Sequence, residues 1–312
     1  MRKVILFYNT MWDRPLGHSP EAIPAPYVLT TDRSTADEAV AIVFHLPTLP
    51  PTLIRKQLTK KKGQLWVAWC LECDVHLPQM KDPSFIDCFD ITMTYKLDSD
   101  VAVTYLEPNL PELLRRPPAE KEDGKLVNAF ISSAYNQSRR IEFLLQLMPH
   151  IDVHSYGKVF RNRQVADDKG QETKLKTIAA YKFTLAFENA IAKDYVTEKF
   201  YDPLIAGSVP IYLGAPNIEE FAPGDHCFIN AADWKSPEAM ARYLVELASD
   251  EERYASYFEW KAKPFRPEFF RLIELTKEHA FVRLCRKVDE RMRQPLDQSR
   301  SFALLRSWWQ HR

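Results

Sequence analysis

Residues 181–230, YKFTLAFENAIAKDYVTEKFYDPLIAGSVPIYLGAPNIEEFAPGDHCFIN, read as two buried strands joined through a polar loop to a helix that opens on Glu198 and Lys199. The run Phe183–Phe187 is short, apolar and aromatic-rich, and it stops at Glu188 and Asn189, as a strand covered on both faces should. Beyond the loop, Val196, Phe200 and Leu204 recur at helical spacing. Thr197 is placed to cap that helix, and Gly207 stands where a C-terminal glycine belongs. A second strand, residues 208–213, then returns to Gly214. Strand, helix and strand form a right-handed crossover, and open parallel sheets bind ligands beyond the carboxyl ends of their strands. First-turn N–H groups, the positive end of the helix dipole and a lysine together favour a phosphate in the loop 188–199. Pro203 removes one backbone bond and predicts a kink.

Outward from this unit, SPEAMARYLVELAS (236–249) and DEERYASYFEWKAK (250–263) read as capped helices, and a last helical region ends in RSWWQHR (306–312). On the other side, KLVNAFIS (125–132) and IDVHSYG (151–157) read as strands. Between them lies an amphipathic helix, SRRIEFLLQLM, whose expected buried stripe is Ile141, Leu144, Leu145 and Met148. The N-terminal half alternates strand-like VILFY, AIVFHLP, LWVAWCLE and DITMTY with helical pieces, which is α/β wiring. Four prolines and several charges in residues 107–124 predict an interdomain linker. The expected division is an N-terminal domain over 1–120, a C-terminal domain over 121–265 and a helical tail over 266–312.

At 312 residues, 46% hydrophobic, the chain can supply two cores. Lys plus Arg and Asp plus Glu are equal at 42 each, so no overall field attracts nucleic acid, and any bound anion must be held locally. No apolar run approaches the ~20 residues of a membrane helix, and no secretory leader is recognisable. Cys70, Cys73, Cys88, Cys227 and Cys285 are scattered and read as free thiols. The pair Cys70 and Cys73 has no second pair at zinc spacing.

FEN (187–189), DYVTEKF (194–200) and AGSVPIYLG (206–214), in this order and spacing, closely resemble the donor-binding signature of the α1,3/α1,4-fucosyltransferases. The resemblance implies a GT-B fold, two Rossmann-like domains facing across a cleft with GDP-β-L-fucose held by the C-terminal one, and a tail beyond Phe265 that packs back on the N-terminal domain. It implies inverting transfer of L-fucose to a glycan hydroxyl, most simply of N-acetylglucosamine in an N-acetyllactosamine-type disaccharide. The alternatives are a core N-glycan, a protein serine or threonine, or an inactive nucleotide-sugar-binding protein. Lys199 and Arg140, with Arg139 adjacent, carry over as the cations on the leaving diphosphate. Glu198 carries over to sugar or ribose hydroxyls, Asn189 and Tyr195 to the pocket lining, Val196 and Thr197 as backbone groups, and Tyr156 beside the guanine. Glu188 is expected to orient the loop.

Glu72, after the strand LWVAWC, carries over as the general base, together with the downstream TYKLDSD at Tyr95, Asp98, Ser99 and Asp100. Cys73 and Asp74 follow it where the family has serine and proline, so acceptor contacts differ there. Asp98 and Asp100 are read as a structural turn. No cofactor or metal is expected. Animal members carry cysteine pairs near the C-terminus, whereas only Cys285 stands in that region here. That departure implies a cytoplasmic, microbial enzyme, absent an anchor upstream.

Overall fold

The computed structural model describes residues 2–18, 20–165 and 167–293, in two compact units. Of the described residues, the first comprises those up to 103 with 278–293, and the second those of 104–277. The division therefore falls after Val103 and Lys277 and not at 120 and 265. The proline-rich stretch is no free linker: it contains a short helix whose Leu110 and Leu114 are buried in the second unit. Lys261 donates to the Leu114 carbonyl at 2.8 Å, and the Arg115 guanidinium lies 3.8 Å from the Phe265 ring centre.

In the first unit, β1 (Lys3–Phe7), β2 (Tyr27–Thr30), β3 (Ala41–His45), β4 (Leu65–Cys70), β5 (Ile91–Thr94) and β6 (Val101–Ala102) form a parallel sheet in the order β2-β1-β3-β4-β5-β6. Helices α1 (Pro51–Lys56) and α2 (Pro83–Ile86) connect strands. One face of the sheet packs Phe44, Trp66 and Phe85, while the other packs Phe7, Val43 and Trp69 against Phe281, Leu284 and Val288. These last three belong to a helix of residues 280–293, so a segment far along the chain completes the first core. Near-continuous apolar strands follow from coverage on both faces.

The second unit holds β7 (Val127–Ala129), β8 (Val153–Ser155), β9 (Phe183–Phe187), β10 (Val209–Leu213) and β11 (Ile229–Asn230), parallel in the order β11-β10-β9-β7-β8. Its helices are α3 (Leu110–Leu114), α4 (Arg140–Leu147), α5 (Gln171–Ala179), α6 (Glu198–Ala206), α7 (Pro237–Ser249), α8 (Glu251–Ser256) and α9 (Pro267–Thr276). The C-terminal helix of the first unit is α10 (Ala280–Arg293). Ser236 and Asp250 cap α7 and α8 through their side chains.

The stripe of α4 differs from expectation: Leu144 and Leu147 are buried with Arg140, whereas Leu145 is exposed. Helix α6 runs through Pro203 to end at Gly207 (φ 76°), whose left-handed backbone suits glycine. The region of RSWWQHR lies outside the described residues, and no described helix is long and apolar enough to cross a membrane.

Candidate active site

The loop between β9 and α6 is organised by one carboxylate. Phe187 and Leu213 are register partners at the ends of β9 and β10, so Glu188 and Gly214 leave the sheet side by side. A Cβ on Gly214 would come within 2.7 Å of Glu188 Cγ and 2.4 Å of Tyr212 Oη, which is why no side chain stands there. Glu188 is fully buried. It accepts hydrogen bonds from the Thr197 backbone N–H at 2.8 Å and from Thr197 Oγ1 at 2.9 Å, with Lys199 Nζ at 3.5 Å. Burial pushes its carboxyl up from the ordinary range against the pull of Lys199.

Thr197 in turn caps α6 by accepting from the Lys199 backbone N–H, and Lys199 Nζ reaches Thr197 Oγ1 at 3.0 Å and Glu198 Oε1 at 3.1 Å. Desolvation pulls the Lys199 ammonium down, but Glu188 and Glu198 outweigh it and raise it above the ordinary lysine value, so the charge is secure. Glu198 is half-exposed. Burial raises its carboxyl, yet Lys199 and Lys174 hold it below the ordinary range.

Val196 and Thr197 are expected from sequence to offer backbone groups to a ligand; their N–H groups are engaged within the chain by Asp194 O and Glu188. The free donors of a helix start are used to build the loop, which leaves side chains as the principal charge presented there.

Two other residues of the set converge on the same strand end. Arg140, the first residue of α4, donates to the carbonyls of Phe187 at 3.1 Å and Ser133 at 2.9 Å, so it ties the exit of β9 to the exit of β7. It is 1% exposed. Its Nε and the Asn189 Oδ1 are buried polar atoms with no hydrogen-bond partner among the described residues. Burial lowers the Arg140 guanidinium, while Glu188, Tyr195 and Glu198 counter that shift. Neighbouring Arg139 is exposed, with φ 58° just before the helix, so the buried arginine is Arg140. Tyr195, also buried, meets Tyr105 edge-on at 6.2 Å.

The strand order reverses between β7 and β9, and crevices at such reversals are where open α/β sheets take ligands. Tyr156 follows β8, one strand away. Its ring stacks on Phe130 at 5.2 Å, its hydroxyl pairs with Tyr181 Oη at 2.7 Å, and it lines a pocket of about 400 Å³ with Glu122, Lys125 and Thr173.

The sequence reading passes over Lys174 and Asp202. These residues of α5 and α6 pair at 2.6 Å beside Glu198 and Lys199, and Asp202 is buried. The pair joins residues far apart in sequence and leaves no local pattern.

In the first unit, Glu72 leaves the end of β4 and lines a pocket of about 500 Å³ with Asp74, Thr94, Tyr95, Lys96, Asp98 and Ser99 among others. Residues of the TYKLDSD motif thus share one cavity with Glu72. The Glu72 carboxylate takes no hydrogen bond or ion pair among the described residues. Asp74, by contrast, is paired with Lys96 at 2.7 Å and accepts from Tyr95 Oη at 3.2 Å. Burial raises the Asp74 carboxyl, but Lys96 holds it below the ordinary range. Asp100 accepts from the Thr92 N–H at 2.9 Å and pairs with Arg291 on α10, which anchors the turn into β6. All five cysteines are free. No group of three or more His, Cys, Asp or Glu side chains among the described residues is arranged to hold a metal.

Comparison with known proteins gives the family and the fold class. Residues 120–308 match the family described as Glycosyltransferase family 10 (fucosyltransferase) C-term, and residues 1–106 match Fucosyltransferase, N-terminal. The chain is 34% identical over 238 residues to 4-galactosyl-N-acetylglucosaminide 3-alpha-L-fucosyltransferase 9 of Homo sapiens, an alignment covering 75% of this chain and 63% of that protein. It is 32% identical over 301 residues to 4-galactosyl-N-acetylglucosaminide 3-alpha-L-fucosyltransferase FUT6 of Homo sapiens, covering 93% of this chain and 80% of the relative. The chain thus spans less than two thirds of the length of the first relative. Among solved structures, an alpha1,3-fucosyltransferase superposes with TM-score 0.62 at 15% identity, over 92% of this chain and 90% of that one. A second, with GDP-fucose, gives 0.55 at 17% identity over 80% of each. The shared fold is of the GT-B class.

Proposed function

We propose that this chain, which belongs to glycosyltransferase family 10, transfers L-fucose from GDP-β-L-fucose to a hydroxyl of N-acetylglucosamine in an N-acetyllactosamine-type glycan. The observation that carries the reading is the buried Glu188 carboxylate fixing Thr197 and Lys199 at the start of α6, next to the unpaired buried atoms of Arg140 and Asn189. In the reaction the acceptor oxygen attacks the anomeric carbon of fucose from the face opposite the phosphate. The bond from that carbon to the diphosphate oxygen breaks, and the β-linked donor gives an α-linked product. The acceptor's proton passes to the Glu72 carboxylate, which is uncommitted to other partners and can act as general base. GDP leaves with its charge met by Lys199, whose ammonium is secure, and by the buried Arg140. Fixed cations of this kind stabilise charge where it develops. Glu198 and Asn189 would hold sugar hydroxyls, and Tyr156 would face the base. Lys174 pairs with Asp202 and helps Lys199 hold the Glu198 carboxyl below the ordinary range at the same point.

Because the cations are side chains, transfer is expected to proceed in excess EDTA. Incubation with GDP-fucose and a panel of glycans, followed by linkage analysis, tests the proposal. An α1,3-fucosylated N-acetyllactosamine supports it. Transfer only to core N-glycans or to protein hydroxyls would reassign the acceptor, and no transfer to any of them would refute the activity.

A further inference from the structure

The two units share an arrangement at their sheet edges. In the second, strand order reverses between β7 and β9, and the donor-site candidates Arg140, Glu188 and Asn189 gather there. In the first, the order reverses between β1 and β3. The residues at that crevice belong to no motif used so far.

Trp12 lies five residues beyond the end of β1 and His45 is the last residue of β3. Their rings meet edge-on at 5.2 Å, and His45 also meets Trp69 edge-on at 5.0 Å. Trp69 is the register partner of His45 on β4, and Glu72 follows it by three residues on the same sheet edge. The segment is firmly built. Asn9 Nδ2 donates to the His45 carbonyl at 2.8 Å and to Thr48 Oγ1 at 2.7 Å, and its Oδ1 accepts from the His45 N–H at 2.9 Å.

Three observations point to a ligand. Trp12 is 54% exposed, the one exposed tryptophan among the described residues. Its backbone is left-handed (φ 47°, ψ 45°), as is that of Asp13 (φ 57°), a costly conformation for a bulky residue and one that concentrates at binding sites. Finally, His45 is 1% exposed, yet its Nε2 is buried with no hydrogen-bond partner among the described residues. Thr48 Oγ1 lies 3.0 Å from Nδ1 and 3.4 Å from the His45 carbonyl, so in the tautomer with the ring proton on Nδ1 the unpartnered Nε2 is an acceptor. Burial lowers the imidazole to about 4, which keeps it neutral in ordinary buffers.

We propose that Trp12 and His45 form the subsite for the acceptor's second sugar, a neutral β-linked galactopyranose, an inference that rests on the transfer reading above. A galactopyranose chair has one face on which the ring C–H groups are contiguous. That face suits an exposed indole, and a hydroxyl at its edge can donate to His45 Nε2. No charge of the sugar needs matching, in keeping with a crevice built of aromatic rings and a neutral imidazole. The subsite would set which disaccharides are accepted, while Glu72 acts on the sugar that receives fucose.

The test uses the wild-type chain, Trp12→Gly and Trp12→Phe, with N-acetyllactosamine and N-acetylglucosamine as probes, read by saturation-transfer NMR without donor and by acceptor KM with it. Glycine accepts the left-handed backbone, so that variant should fold, and its GDP-fucose affinity by calorimetry serves as the control. The expected result is saturation on the galactose C–H protons of the disaccharide in the wild type and its loss in Trp12→Gly. Acceptor KM should rise about tenfold, largely restored in Trp12→Phe. A wild-type enzyme that transfers fucose while Trp12→Gly keeps its disaccharide KM and its galactose contacts overturns the subsite alone. A wild-type chain that neither contacts any disaccharide nor transfers fucose overturns both readings.

Discussion

Glu188 and Glu72 each follow a buried apolar strand, one behind Phe187 and the other just past Cys70, yet the two carboxylates end in opposite circumstances. Glu188 is buried and occupied by Thr197 and Lys199, so it shapes a loop. Glu72 lines an open pocket, and its carboxylate takes no hydrogen bond or ion pair among the described residues. A carboxylate at a strand end is therefore diagnosed by its partners and not by its sequence context. The surroundings differ in the same sense. The edge of the second sheet is crowded with ions, Arg140, Lys174, Glu188, Glu198, Lys199 and Asp202, as a diphosphate would require. The edge of the first is aromatic around Trp12, His45 and Trp69, as a neutral sugar would require.

The contrast breaks most readily at Glu72. Glu72→Gln keeps size and loses the base, so transfer should fall ~10²- to 10⁴-fold at saturating substrates. Near-normal turnover would move the base elsewhere, Asp74 and Asp98 being the pocket's other carboxylates. Lys199→Ala should cost ~3 kcal/mol in the barrier, about a hundredfold in rate, and should also weaken GDP binding in a titration of the folded variant. Wild-type kinetics would take the lysine out of the mechanism.

A third expectation concerns pH and the aromatic edge. Folded His45 titrates near 4, well below the ordinary histidine value of 6.5, so the unfolded chain binds its proton first as the solution is acidified. Its contribution to stability is complete above 6.5 and is lost as pH falls toward 4, on the order of 3 kcal/mol. Denaturant unfolding from pH 7 to pH 4 should show this loss, and His45→Phe should flatten it. An equal slope in both proteins would mean that the imidazole is hydrated. The smallest effect is at the cap. Thr197→Ala removes donors to Glu188 and the acceptor for Lys199, and stability should fall by ~1 kcal/mol in the same measurement. No change there would make the Glu188 network incidental.

Much of this was legible in the sequence because strands covered on both faces read as continuous apolar runs. Phe183–Phe187 and Ala41–His45 are such runs, and Thr197 and Gly207 mark the ends of α6 by their own chemistry. Strands β2, β6 and β11 leave no such run. Two of them are only two residues long, and they lie at or near sheet edges where no apolar run is needed. Helix α5 was missed because its sequence, QETKLKTIA, buries little more than Ile178. Within the site, the resemblance gives Glu188, Glu198, Lys199 and Arg140 separate expected roles, but the contacts that bury and occupy Glu188 are not readable in the sequence. Which carboxylate is occupied depends on Thr197, Gly214 and Tyr212 meeting in space. Lys174 with Asp202, and Trp12 with His45, are brought together only by the fold.

The most direct measurement is calorimetric titration of GDP-fucose into Glu72→Gln and Glu188→Gln side by side. The account predicts wild-type affinity for Glu72→Gln. It predicts a loss of about tenfold or more for Glu188→Gln, because the amide breaks the charged anchor that holds Thr197 and Lys199 at the start of α6. Unchanged affinity in Glu188→Gln together with weakened binding in Glu72→Gln would contradict it.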